Sequence, residues 1–291
     1  MADDSELIAH IHRQRAQDLK SRIWLGDVQL GHLDPEAPQR MLDHLQAAAA
    51  AGDVEAFVEL GEAYADGVGF QDEVAVDVDR ALAAFEAGAE RGLPEAARCY
   101  LRLCLLRRSD PVGETRLVRW LEWLITDDPD GEAHWIAGVA ARRGYGLPRD
   151  SVGAVEWLSV GAARGQADAM WELHDIYEQG IDGVPADTEA AQKWCEMAAH
   201  AGHVGAAYAI AQRMAREGDD IADLSGAAVW FERAAHAGHP EARLALGILY
   251  LTGAGVSADP TAASAWLDEA EESGIDVDAA LARRGLSRPP G

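Results

Sequence analysis

The side chains in this sequence that could do chemistry are its imidazoles, thiols and clustered carboxylates, so their spacing is weighed first. Two AHAGH pentapeptides, residues 199–203 and 235–239, set His200/His203 and His236/His239 36 positions apart, a pattern that could offer nitrogen ligands to zinc. A zinc shell needs its donors about 2.0–2.1 Å from one ion, whereas equal positions of neighbouring helical hairpins stand about 10 Å apart. These histidines therefore read as residues at helix C-termini that interact with the last carbonyls. His174 and Asp175 could form a dyad, but adjacent residues on a helix point in different directions, and the pair reads as incidental. Cys99, Cys104 and Cys195 are odd in number and lack CxxC spacing; the first two lie in the leucine-rich run YLRLCLLRR, where buried thiols are expected. The GVG at 67–69 and the GAG at 253–255 join helix to helix, which is the wrong context for a phosphate cradle, and no GxSxG, HExxH or Walker pattern is present. The expectation is a non-enzymatic protein with no catalytic residue, no metal and no cofactor; an unfamiliar hydrolase or metalloprotein is the residual alternative.

The elements that would position these groups follow from self-similarity. Ala56, Ala96, Ala133, Ala169, Ala206 and Ala242 are spaced 40, 37, 36, 37 and 36 apart. Gly52, Gly92, Gly165, Gly202 and Gly238 precede five of them by four residues, and Gly274 continues the series. Each glycine falls where a helix should stop, at a position that needs φ > 0. Segments such as DAMWELHDIYEQG and EARLALGILYLTG carry apolar residues at i, i+3, i+4 and i+7, so each unit begins with an amphipathic helix. Asp77, Asp150, Asp187, Asp223 and Asp259 stand four residues before Ala81, Ala154, Ala191, Ala227 and Ala263, where a carboxylate would cap a second helix. Further along come Trp157, Trp194, Trp230 and Trp266, read as the structural core of the repeat: large wedges that interlock neighbouring units. Trp135, Trp171 and Tyr208 share one repeated position on the first helix and read as core. Alanine runs at 198–202 and 234–238 permit close helix approach.

This order of residues resembles the Sel-one-like repeat (SLR) family, a relative of the tetratricopeptide repeat. It runs Ala, Leu-Gly-x-x-Tyr, Gly-x-Gly-Val, Asp, Ala-x-x-Trp and Ala-Ala-x-x-Gly. The copy at 242–274 carries it through Ala242, Leu246, Gly247, Tyr250, Gly253, Gly255, Val256, Asp259, Ala263, Trp266, Ala270 and Gly274. The copy at 169–202 nearly matches it; the copy at 56–92 has a longer loop and Ala84 for tryptophan; the segment 96–130 departs most and ends in DDPDG. The resemblance implies an all-α, right-handed superhelical solenoid of about six SLR or TPR-like hairpins, with repeats starting near 53, 93, 130, 166, 203 and 239. It also implies adaptor or scaffold work. Residues 1–33 would form an N-terminal capping helix and linker, residues 34–286 the solenoid with a half repeat and a C-terminal capping helix, and residues 287–291 a flexible tail. Leu7, Ile8, Ile11, Leu19, Ile23 and Trp24 would form the apolar face of the first helix, and Asp34-Pro35 would open the second.

The 291 residues are 48% hydrophobic and 26% charged, which fits a folded chain. Fifty acidic against 25 basic residues give a net charge of −25, which argues against nucleic acid or a membrane surface as partner. The N-terminal residues lack the apolar run of a secretion signal, so a cytoplasmic location is expected. Residues 98–164 differ: ten arginines face nine acids there, either as a partner footprint or paired locally with Glu122, Glu132 and Glu156. With the Ala, Leu, Gly and Tyr positions turned inward, the concave face would present Glu59, Glu62, Asp66, Arg102, Arg142, Arg143, Glu172, Asp175, Glu178, Gln179, Gln212 and Arg216. The expected function is a scaffold holding a protein or peptide there. The alternative is an immunity or antitoxin protein that neutralises a basic toxin through its acidic surface.

Overall fold

The computed structural model describes residues 4–24, 36–68, 75–107, 111–217 and 221–289. These form stacked helical hairpins, with no strand among the described residues; Ile181 and Val184 form an isolated bridge. The chain divides into two compact units, residues 1–128 with 143–149 and residues 129–142 with 150–291. No helix among the described residues is long and apolar enough to cross a membrane.

The first unit holds α1 (Asp4–Trp24), α2 (Ala37–Ala50), α3 (Ala56–Asp66), α4 (Val78–Glu90), α5 (Pro94–Arg107) and α6 (Pro111–Ile125). Helix α1 packs on α2, α3 on α4, and α5 on both α4 and α6. Contrary to the expected apolar face, α1 buries Ala9 and Ala16 and leaves Leu7, Ile8 and Ile11 exposed. Polar contacts hold it instead. Arg13 reaches Glu55, Asp53 and Glu59, Lys20 lies 3.7 Å from Glu62, and the Nδ1 atoms of His12 and His44 meet at 3.0 Å. The expected helix start at Asp34-Pro35, the glycine at 69, Arg108 and the side chains of Ile23 and Trp24 lie outside the described residues.

The second unit holds α7 (Glu132–Arg143) up to Arg142, α8 (Ser151–Ala163), α9 (Ala167–Gln179), α10 (Thr188–His200), α11 (Val204–Glu217), α12 (Ile221–His236), α13 (Pro240–Thr252), α14 (Pro260–Glu272) and α15 (Val277–Ala282). Each hairpin is written in backbone hydrogen bonds. At the end of α10, Gly202 (φ 97°) donates to the Ala199 carbonyl and His203 to the Ala198 carbonyl, a Schellman closure; Gly238 and His239 repeat it with Ala235 and Ala234. Second helices start on aspartate: Asp150, Asp187 and Asp259 accept from the N–H groups of Gly153, Ala190 and Ala262 at 2.9–3.1 Å. Asp223 departs from this, because α12 begins at Ile221 and places it inside the first turn. Asp187 and Asp259 also donate their own N–H to the Tyr177 and Tyr250 carbonyls, which ties each loop back to its first helix.

The periodic alanines Ala133, Ala169, Ala206 and Ala242 are wholly buried. The tryptophans are not. Trp157 is 36% exposed and Trp194, Trp230 and Trp266 are half-buried, while the residue after each one, Leu158, Cys195, Phe231 or Leu267, lies in the core. The expected core position is thus off by one residue, a rotation of about 100° around the helix. Three of the tryptophans still touch a histidine of an earlier element: Trp230 meets His200 and Trp266 meets His236 edge-on, and Trp157 lies tilted over the buried His134.

The core residues of the second helices fit into glycines of the first. A Cβ on Gly138 would stand 2.6 Å from Leu158, and one on Gly247 2.8 Å from Leu267; Gly61 and Phe85 repeat the pairing in the first unit. In the hairpin of α9 and α10 the sizes are exchanged, His174 taking the glycine position and Cys195 the leucine position. The end of the array is closed by α15, whose Val277 and Leu281 pack on Leu267 and Ala270. Arg288, expected to lie in a free tail, pairs with Asp268 and Asp278 at 2.8 and 3.0 Å.

Candidate interaction surface

The residues expected to line a concave face divide by their surroundings. Glu59 is largely shielded and engaged by Arg13 of α1, while Glu62 is exposed with Lys20 of α1 3.7 Å away. Asp66 is exposed at the end of α3, and Arg102 is exposed beside Glu95 at 3.5 Å. Arg143, also exposed, belongs to the first unit.

The second unit carries seven of the expected residues, on α7, α9 and α11, in one polar strip. Arg142 of α7 pairs with Glu172 of α9, both largely shielded from solvent. Asp175 sits one turn from Glu172 and is influenced by Arg142, His174 and Glu178; burial first, then the Glu172 charge, hold its carboxyl above the usual range. Glu178 lines a cleft of about 340 Å³ with Gln212, Arg213 and Arg216 of α11 and with Ala191 and Cys195 of α10. Arg213 is 3.0 Å from Glu196. Gln179 is exposed at the end of α9. The strip thus combines carboxylates, guanidiniums and an amide around an open notch, a set able to bind the backbone and charged side chains of another chain.

His174 and Cys195, the exchanged pair, both line the cleft. A short thiol in place of leucine leaves room for the imidazole, whose Nδ1 donates to the Ala191 carbonyl at 3.0 Å. Burial pushes the Cys195 thiol up to about 11, so it is a packed, protonated group. His174 and Asp175 do not simply diverge: with Glu178 their donor atoms lie within 4.8 Å of one another. The signal for this was in the spacing, since Glu178 is four residues from His174 and three from Asp175, the two separations that meet on a helix.

The AHAGH histidines split into two roles. His200 and His236 end their helices, as expected. His203 and His239 instead begin the next ones. His203 accepts the Ala206 N–H through Nδ1 at 3.0 Å and stacks on Trp171; His239 stacks on Tyr208 with centroids 4.2 Å apart. Burial lowers the proton affinity of both, outweighing Asp168 beside His203 and Glu241 beside His239. Trp171 and Tyr208 are therefore half-buried stacking partners of the following hairpin. Arginines of the middle segment also find local partners: Glu86 for Arg116, Glu95 for Arg98 and Arg102, and the His134 ring for Arg164.

Comparison with known proteins places this geometry. The family model of the Sel1 repeat matches residues 131–166, 167–203, 204–239 and 240–275, each boundary within one residue of the expected start. The further copies expected near 53 and 93 fall outside the matched residues, although α3–α4 and α5–α6 form hairpins there. A Sel1 repeat protein from Oxalobacter formigenes is 26% identical, aligned over 94% of this chain and 89% of its own, with a TM-score of 0.59. A protective antigen of uropathogenic Escherichia coli with an SLR fold is 19% identical over 98% and 74% of the two chains, with a TM-score of 0.48. An immunity protein of Pseudomonas aeruginosa is 15% identical over 93% and 83%, with a TM-score of 0.43. No curated protein matches the chain. The Sel1-repeat fold is commonly a protein-interaction scaffold. With four Sel1 repeats between residues 131 and 275, the chain is a Sel1-repeat protein.

Proposed function

We propose that the polar strip of α7, α9 and α11 holds a segment of a protein partner, and that the chain acts as a scaffold or adaptor. One observation carries this reading: Glu178, Gln212 and Arg216 line an open cleft between α9 and α11, and Asp175, which feels the charges of Arg142, Glu172 and Glu178, continues the polar surface from there to the Arg142–Glu172 pair of α7 and α9. A surface built this way spreads affinity over several repeats while a few anchors set specificity. The excess of carboxylates favours a partner segment rich in lysine and arginine. The test is affinity isolation from source cells with the wild-type chain and with Gln179→Arg and Glu178→Arg variants, both at exposed positions. A partner retained by the wild type and lost by the variants, with unchanged melting, supports the reading; equal recovery by all three removes it.

The net charge of −25 favours a second reading, neutralisation of a basic toxin. It predicts a single basic partner whose association slows steeply between about 50 and 500 mM salt. A partner of neutral charge with salt-independent association would set it aside.

A further inference from the structure

We propose that His174, Asp175 and Glu178 form a binding site for one divalent transition-metal ion, with zinc as the expected occupant. Their donor atoms lie within 4.8 Å of one another on the outer half of α9. Glu178 makes the set possible, because it sits one helical turn beyond both His174 and Asp175 and draws together two side chains that would otherwise fan apart. The His174 ring is already oriented. A carbonyl oxygen can only accept, so the Nδ1 atom 3.0 Å from Ala191 O carries the ring proton. In the neutral ring Nε2 then presents a bare lone pair, and it faces a Glu178 carboxylate oxygen at 3.9 Å. A cation shared between them would satisfy both acceptors. The separation is too long for a hydrogen bond and close to the roughly 3.3 Å between neighbouring ligands of a tetrahedral zinc ion with bonds of about 2.0–2.1 Å. A carbonyl bonded to the far ring nitrogen is also how metal-binding histidines are commonly held.

The surroundings agree with this. Position 174 is glycine in the hairpins of Gly61, Gly138 and Gly247, where Phe85, Leu158 and Leu267 fill the space; here Cys195 is short enough to admit an imidazole. Glu172 adds a third carboxylate, offset by Arg142, while Arg213 is paired with Glu196. Arg216 lines the opposite side of the cleft, into which a remaining coordination position would open. One imidazole nitrogen with two carboxylates suits zinc better than calcium or magnesium, which prefer all-oxygen shells.

The test uses the purified full-length chain without any partner, so it is independent of the interaction reading. Chelator-stripped protein is titrated with zinc sulfate by calorimetry, beside Glu178→Gln, Asp175→Asn and a His200→Ala/His236→Ala control. Glu178 is exposed, so its amide variant keeps the fold, which circular dichroism verifies. Expected are one zinc per chain, binding weakened about 10-fold or more by either amide variant, unchanged binding in the control, and a shifted His174 Nε2 signal in nitrogen-15 spectra. Absence of one-to-one binding at about 100 µM zinc, binding that survives both amide variants, loss confined to the control, or equal affinity for magnesium or calcium would each overturn the proposal.

Discussion

Exchanging His174 and Cys195 for the glycine and leucine of the neighbouring repeats tests how the two side chains fit together. His174→Gly removes a largely shielded imidazole and its hydrogen bond to Ala191. The bond contributes about 0.5–1.5 kcal/mol and glycine in mid-helix costs up to about 1 kcal/mol, which together with lost packing gives about 2–3 kcal/mol. Cys195→Leu drives a larger side chain toward the imidazole and costs about 1–3 kcal/mol by overpacking. The double variant recreates the pairing seen at Gly138 with Leu158 and Gly247 with Leu267, where a Cβ on the glycine would stand 2.6 and 2.8 Å from the leucine. It should therefore be less destabilised than the sum of the single variants by about 2 kcal/mol, within the usual range for residues in contact. Urea unfolding followed by far-ultraviolet circular dichroism, with chelator present, measures all four corners of the cycle. Additivity within about 0.5 kcal/mol would refute the exchange of sizes.

Other perturbations separate the forces at work. Leu158→Ala and Leu267→Ala, at fully buried positions, should each cost about 2–5 kcal/mol by chemical denaturation, whereas Trp157→Ala, whose vacated space opens to water, should cost roughly 1–3 kcal/mol. Gly202→Ala meets no atom within 4 Å and should cost only the left-handed backbone penalty of about 1–2 kcal/mol; Gly131→Ala, whose Cβ would stand 2.6 Å from the Gly161 carbonyl oxygen, should cost more in the same denaturation assay. His203 takes up a proton less readily in the folded chain than unfolded, so its contribution to stability is present above the ordinary histidine range and lost as pH falls through it. Stability should therefore decline from pH 7 toward pH 5.5, and His203→Asn, which keeps a helix cap but cannot titrate, should flatten that slope.

The hairpins were legible in the sequence because their punctuation answers backbone demands. Glycines such as Gly202 and Gly238 terminate helices, and Asp150, Asp187 and Asp259 cap the next ones, wherever the chain packs. Side-chain direction was harder to read. The regular tryptophans drew attention from the less conspicuous Leu158, Cys195, Phe231 and Leu267 one step further on, because periodic spacing shows that a face exists and not which of two adjacent residues occupies it. On α1 the aliphatic residues looked like the packing face, yet Ala9 and Ala16 allow the closer approach and the ionic contacts of Arg13 and Lys20 favour the other side. That contact also pairs Arg13 with Glu59 and brings Lys20 near Glu62, long-range pairings that local pattern does not encode. The strip around Glu172, Asp175 and Glu178 was named residue by residue, whereas its convergence on His174 needed the i+3 and i+4 relations to be taken together.

The claim that a partner lies along α7, α9 and α11 is tested most directly by site-specific photo-crosslinking in source cells. A photoreactive residue would replace Gln179 or Arg216 on the strip, or Lys193 on the exposed side of α10. The account predicts one discrete adduct of the same protein from both strip positions and none from Lys193. Adducts from Lys193 alone, or none from the strip while the chain still co-purifies with its partner, would contradict it.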